Sequence, residues 1–156
     1  MAGPPTQTDT ADPGAGLCRA RDILRQVFGH EGFRPGQEEV VASSLAGRDL
    51  LVVMPTGSGK SLLFQLPALL EDGLTLVVSP LIALMKDQVD ELCRRGVAAA
   101  FINSSLGIEE QRQRIQQCEE GRVKLLYVAP ERFRSSGFIG MLGRVRISRL
   151  AVDEAH

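Results

Sequence analysis

The sequence lacks what a membrane or exported protein needs. No apolar run approaches the ~20 residues of a spanning helix, and residues 1–16 have neither the basic start nor the apolar stretch of a signal peptide. The expectation is a soluble, intracellular, cytoplasmic chain with no membrane partner. Cysteine is scarce too. Cys18, Cys93 and Cys118 are odd in number and too widely spaced for a zinc pair, which argues against a disulfide framework and predicts three reduced thiols with a structural, buried role. An excess of charge of either sign is also missing. A formal net charge of −1 over 156 residues gives no general basic field, so nucleic-acid contact would have to come from a local surface. No residue-level repeat is present, which excludes a solenoid.

A hydrophobic fraction of 44% is enough to fill the core of one domain. Residues 1–16 are rich in Ala, Gly, Pro and Thr, with Asp9 and Asp12 their only charged side chains. Such a segment buries too little apolar surface to offset its ordering entropy, so a disordered tail is predicted, with structure starting at Leu17. Ile23, Leu24, Val27 and Phe28 then repeat at helical spacing, and Pro35 opens a second helix running through Leu45 to Gly47.

From residue 50 onward the apolar runs LLVVM, LTLVV, VAAAFI, VKLLYV and ISRLAV begin 24, 23, 26 and 24 residues apart. Each interval suits a strand plus a crossover helix. The runs are near-continuous, as in parallel strands covered on both faces. The pattern predicts a doubly wound α/β sheet with ligands at the carboxyl ends of its strands. Pro67 should kink or end early the helix that follows the first run.

Two of these runs stop at residues suited to phosphate and metal chemistry. LLVVMPTGSGKS (50–61) ends in a loop, Thr56, Gly57, Ser58 and Gly59, whose unhindered backbone lets N–H groups converge on a phosphate. Lys60 would neutralise the outer phosphates, and the Ser61 hydroxyl would face Mg²⁺. Met54 stands where the full P-loop pattern has its first glycine. RLAVDEAH (149–156) supplies Asp153, able to hold hydrated Mg²⁺, and Glu154, able to orient and deprotonate a water. Together they read as a nucleoside triphosphatase. Taken singly, the loop could be an ordinary strand-to-helix turn and the acid pair a solvated strand end. A phosphotransferase acting on a small molecule, or a module that binds nucleotide or DNA without turnover, also stays open.

Five blocks in order resemble the RecQ family of superfamily 2 DNA helicases: FGHEGFRPGQEEV (28–40), VVMPTGSGKS (52–61), VVSPLIALMKDQV (77–89), LLYVAPERF (125–133) and AVDEAH (151–156). The resemblance spans residues 17–156. It implies an ATP- and Mg²⁺-dependent 3′–5′ helicase that translocates on single-stranded DNA and opens duplex junctions in repair and recombination. The implied fold is the first RecA-like P-loop domain, incomplete at its carboxyl end. A second RecA-like domain and zinc-binding and winged-helix regions would be further parts of the same polypeptide. By the same resemblance Gln37 reads adenine, with Arg34 packed against the base. Ser79, Lys86, Asn103 and Arg132 contact the DNA strand, and His156 couples the nucleotide site to the DNA. It further implies that another strand lies between the P-loop run and the DEAH run, so that these two are not neighbours. Arg132, Arg134, Arg144, Arg146 and Arg149 form either part of the DNA path or a solvated basic face.

Overall fold

The computed structural model describes residues 13–155. Residues 1–12 of the expected tail, and His156, lie outside that range. The tail's last four residues form the first turn of α1 (Pro13–Gln26), so residues 13–16 are helical, ahead of the predicted start at Leu17. Proline is favoured at this position because its φ is already helical. Helix α2 (Gln37–Leu45) follows, beginning two residues after Pro35.

Four parallel strands form the sheet: β1 (Leu74–Val78), β2 (Ala99–Ile102), β3 (Leu125–Val128) and β4 (Ile147–Val152), in the spatial order β2-β3-β1-β4. Helices cover both faces, as a doubly wound arrangement requires. On one face Val77, Leu125 and Tyr127 pack with Leu63 and Leu66 of α3 (Leu62–Ala68) and with Met85 and Leu92 of α4 (Ile82–Arg94). On the other, Leu76, Leu126 and Val128 meet Cys118 of α5 (Ile108–Glu119) and Phe138 and Met141 of α6 (Ser136–Leu142). Fully burying one such aliphatic side chain contributes about 1.5–3 kcal/mol. α3 ends one residue after Pro67, the early break that its missing N–H predicts.

The structure departs from the five-strand expectation at residues 50–54, which are extended but join no ladder. A strand needs a hydrogen-bonding neighbour as well as an apolar run; both edges of β1 are taken by β3 and β4, and residues 50–54 do not pair with the free outer edge of β4. Leu51 and Val53 are 88% and 89% exposed, while Val52 and Met54 pack against the core. A groove of about 370 Å³ separates this segment from β4 and is lined by Leu51, Val53, Leu150 and Val152. The two segments are therefore not neighbours, in agreement with the strand order the resemblance implies.

Cysteine burial is corrected for two of three: Cys18 and Cys93 are exposed, and Cys118 is buried. Burial, with a smaller contribution from the neighbouring Glu119 carboxylate, pushes the Cys118 thiol up to about 12.

Candidate nucleotide site

At the carboxyl ends of β1 and β4 a cavity of about 380 Å³ is bounded by Lys60, Ser61, Ser79, Tyr127, Asp153 and Glu154. The sequence separates Lys60 from Asp153 by more than ninety positions; the sheet brings them to one place.

The loop that carries Lys60 is shaped by glycine. Gly57 and Gly59 adopt φ of 79° and 82°, the left-handed region that other residues enter at a cost. At Gly59 a Cβ would also lie 2.6 Å from Gln37 Nε2. Among the described residues the N–H groups of Gly57, Gly59, Lys60 and Ser61 make no hydrogen bond to the backbone, as an anion cradle requires. Gln37 itself is buried and clamps the loop. Its Nε2 donates to the carbonyls of Ser58 (3.1 Å) and Gly59 (3.3 Å), and its Oε1 accepts from Arg34 N at 2.9 Å. Arg34 Nη1 donates to the Gly57 carbonyl at 2.8 Å. Both residues expected at the base thus also hold the phosphate loop.

The acid pair closes the opposite side. Asp153 N donates to the Val78 carbonyl at 2.8 Å, extending the β4 ladder past its last residue. The chain then turns sharply: Glu154 N donates to Asp153 Oδ1 at 3.1 Å, and Glu154 has φ 53°. It is the one non-glycine with positive φ among the described residues, a conformation that costs about 1–3 kcal/mol and concentrates at functional sites. The turn places both carboxylates on the cavity wall. Ser61 and Asp153 are oxygen donors of the kind Mg²⁺ takes. No cluster of three or more His, Cys, Asp or Glu suited to a metal occurs among the described residues, so a cation here would complete its shell from phosphate and water.

The residues expected to touch DNA divide. Lys86 is exposed and pairs with Asp90, whose hydrogen bond and charge raise the Lys86 amine above the usual lysine range. Arg132 is half-buried and donates to Gln111 Oε1 at 2.6 Å. Ser79 and Asn103 are only 5% and 1% exposed. Ser79 Oγ accepts from Leu81 N, and Asn103 Oδ1 accepts from Ser105 N and Oγ, so both side chains shape loops inside the chain. Of the other arginines in the basic stretch, Arg144 pairs with Glu119 and Arg149 with Glu71 and Ser44.

Sequence reasoning missed three residues in or beneath this wall. Gln65 Nε2 donates to the Tyr127 hydroxyl at 2.8 Å, a buried bond that fastens the P-loop helix to β3. Gln88 lines the cavity from α4. The available signal was local: Gln65 interrupts the apolar run LLFQLPALL, and Tyr127 is the chain's sole tyrosine.

The parallel sheet, the glycine-shaped loop at its carboxyl edge and the acid pair beyond β4 define a RecA-like P-loop domain. A family profile described as DEAD/DEAH box helicase matches residues 34–156. The ATP-dependent DNA helicase RecQ of Haemophilus influenzae is 51% identical over 137 residues, covering 88% of this chain and 22% of that protein. RecQ of Bacillus subtilis is 45% identical over 141 residues, 90% of this chain and 24% of its own length. ATP-dependent DNA helicase Q5 of Rattus norvegicus is 44% identical over 146 residues, 88% of this chain and 15% of its own. The chain belongs to the DEAD/DEAH box helicases and, within them, to the RecQ family. It spans less than a quarter of the length of each of these relatives.

Proposed function

We propose that this chain is the ATP-binding domain of an ATP-dependent 3′–5′ DNA helicase that couples hydrolysis to translocation on single-stranded DNA and to duplex unwinding in repair and recombination. The observation that carries the reading is the convergence of Lys60, Ser61, Asp153 and Glu154 on one cavity at the carboxyl edge of a parallel sheet. The relatives' names supply the substrate class.

In this reading the loop N–H groups and Lys60 hold the outer phosphates, while Ser61 and Asp153 would hold Mg²⁺. Mg²⁺ when bound neutralises charge developing on the phosphates. Glu154 orients the attacking water and accepts its proton. Gln37 Oε1 has a second lone pair for the adenine amino group, and Nε2 is shared between two carbonyls, so one can be exchanged for the base edge while Arg34 packs against the ring. DNA contact falls to Lys86, Arg132 and the backbone around Ser79 and Asn103, with His156 coupling the two sites. The remaining helicase domains of the same polypeptide are the partners that complete turnover. Arg34 is the one arginine lining the cavity among the described residues, and it is engaged with the loop. An arginine finger is worth about 10³–10⁵ in rate, so this chain alone should turn over poorly.

Competition calorimetry with ATP and GTP tests the reading. ATP should bind more tightly, and Lys60→Ala should weaken both. Equal affinity for the two nucleotides, or indifference to Lys60→Ala, would count against it.

A further inference from the structure

Gln88 belongs to the helix that the resemblance assigns to the DNA strand, but it lines the nucleotide cavity with Lys60, Ser61, Asp153 and Glu154. Two positions to either side, Lys86 and Asp90 pair at the exposed surface of the same helix. α4 therefore divides its polar residues between solvent and the site. Gln88 Oε1 is buried and has no hydrogen-bond partner among the described residues. Buried acceptors without partners are uncommon, because the group gives up its hydration for nothing, and each one calls for an explanation.

The chemistry of the missing partner is constrained. An amide oxygen only accepts, so it cannot meet a phosphate oxygen, which at neutral pH also accepts. Besides the adenine amino group, which the reading above gives to Gln37, two donors could enter with a nucleotide: a ribose hydroxyl, or water polarised by a cation. The second fits better, because Gln88 shares the wall with the carboxylates that would face a cation.

We propose that Gln88 is a positioning residue for the hydrated cation, its Oε1 accepting a hydrogen bond from a water of the Mg²⁺ that Ser61 and Asp153 hold. The inference rests on the nucleotide reading above. It ties α4 to the metal end of the site, so that occupancy of the site bears on the helix whose outer face carries Lys86.

The test is calorimetric titration of the 156-residue chain with ADP, in Mg²⁺ and in chelator, for the unaltered sequence, Gln88→Leu and Gln88→Met. Methionine keeps the side chain's length and removes the amide, which guards against a leucine variant that fails to fold. Both variants should bind ADP about five-fold more weakly in Mg²⁺, the scale of one hydrogen bond, and unchanged in chelator. The empty variants should melt no lower than the unaltered chain, since the atom removed has no partner to lose. Equal affinity in Mg²⁺ would overturn the proposal. So would a loss of the same size in chelator, which would point to the ribose, or a lower melting temperature in both empty variants, which would make the amide merely structural. Failure of the unaltered chain to bind ADP would overturn the nucleotide reading, and the inference with it.

Discussion

Lys60 and Glu154 line one cavity; in the proposed reading they act at different moments, and their variants should separate accordingly. Lys60 meets charge already present on the bound nucleotide, so Lys60→Ala should appear in the dissociation constant. Glu154 acts only as water attacks. In a RecQ-family helicase that contains this domain, Glu154→Gln should leave nucleotide affinity nearly intact and lower turnover by about 10²–10⁴; normal turnover would remove Glu154 from the proposed role. Tyr127 allows a test by pH. Burial, opposed by the Gln65 hydrogen bond and assisted by the Asp153 charge, holds its phenol well above the ordinary value of 10.0. A raised phenol pKa favours the neutral, protonated form in the folded state. Its contribution to stability is therefore full below pH 10.0 and is lost as pH rises from there toward the folded value. With one tyrosine in the chain, phenolate absorbance reports this group alone. It should stay silent past the ordinary value and then rise together with unfolding; a free titration near 10.0 would show Tyr127 to be solvated. Lys60, Gly57, Gly59 and Asp153 were legible in the sequence because backbone freedom and formal charge are properties of the residue itself. Ser79 and Asn103 were not. A polar side chain at a strand end can turn outward or inward, and neighbours distant in sequence, Val128 beside Ser79 N and Met85 beside Asn103, decide which.

At the scale of elements, four of five runs became strands, and the fifth shows what a run leaves unsaid. Apolar content marks LLVVM for burial, but a ladder depends on a partner edge, which is not a local property. The same applies to α3, where Leu62, Leu63, Gln65 and Leu66 are all buried because the sheet and α2 surround it, so no amphipathic stripe is visible. The contrast between β1 and β4 predicts a pattern of hydrogen exchange. In a parallel strand successive N–H groups point to opposite sides, and Asp153 N is bonded to Val78 O across β1. The Ala151 amide shares that direction, while those of Leu150 and Val152 face the groove. In the 156-residue chain, Ala151 and Asp153 should be protected, and Leu150, Val152 and residues 51–54 should exchange quickly. Uniform protection through β4 and 51–54 would mean that the groove closes in solution and that the two segments pair.

For the whole molecule the governing quantity is how little positive charge is left for DNA. The chain has 18 Lys and Arg against 19 Asp and Glu. Nine of those cations, Arg21, Lys86, Arg94, Arg95, Arg112, Arg114, Arg122, Arg144 and Arg149, are already in ion pairs among the described residues, so half the basic complement is answered within the chain. Most of these pairs are exposed and contribute about 0–1 kcal/mol to stability, but each sets an opposite charge beside the cation that would face a polyanion. Of the four residues the resemblance assigns to the strand, only Lys86 and Arg132 are cationic, and both have intrachain partners that DNA would have to displace. Binding of single-stranded DNA by this chain should therefore be weak, tolerant of sequence and only mildly sensitive to salt. Each phosphate neutralised on a single strand adds about −0.7 to the slope of log affinity against log salt. Two cations give a slope of about −1.4, and Lys86→Ala should reduce it to about −0.7. Asn103→Ala should behave differently. The residue is 1% exposed and its side chain holds Ser105, so the substitution should lower the melting temperature and leave the salt slope where it was. Fluorescence anisotropy with a labelled oligonucleotide across a salt series measures both variants. A steep slope, or a slope changed by Asn103→Ala and untouched by Lys86→Ala, would move the DNA path away from α4 and toward the backbone of the loop after β2.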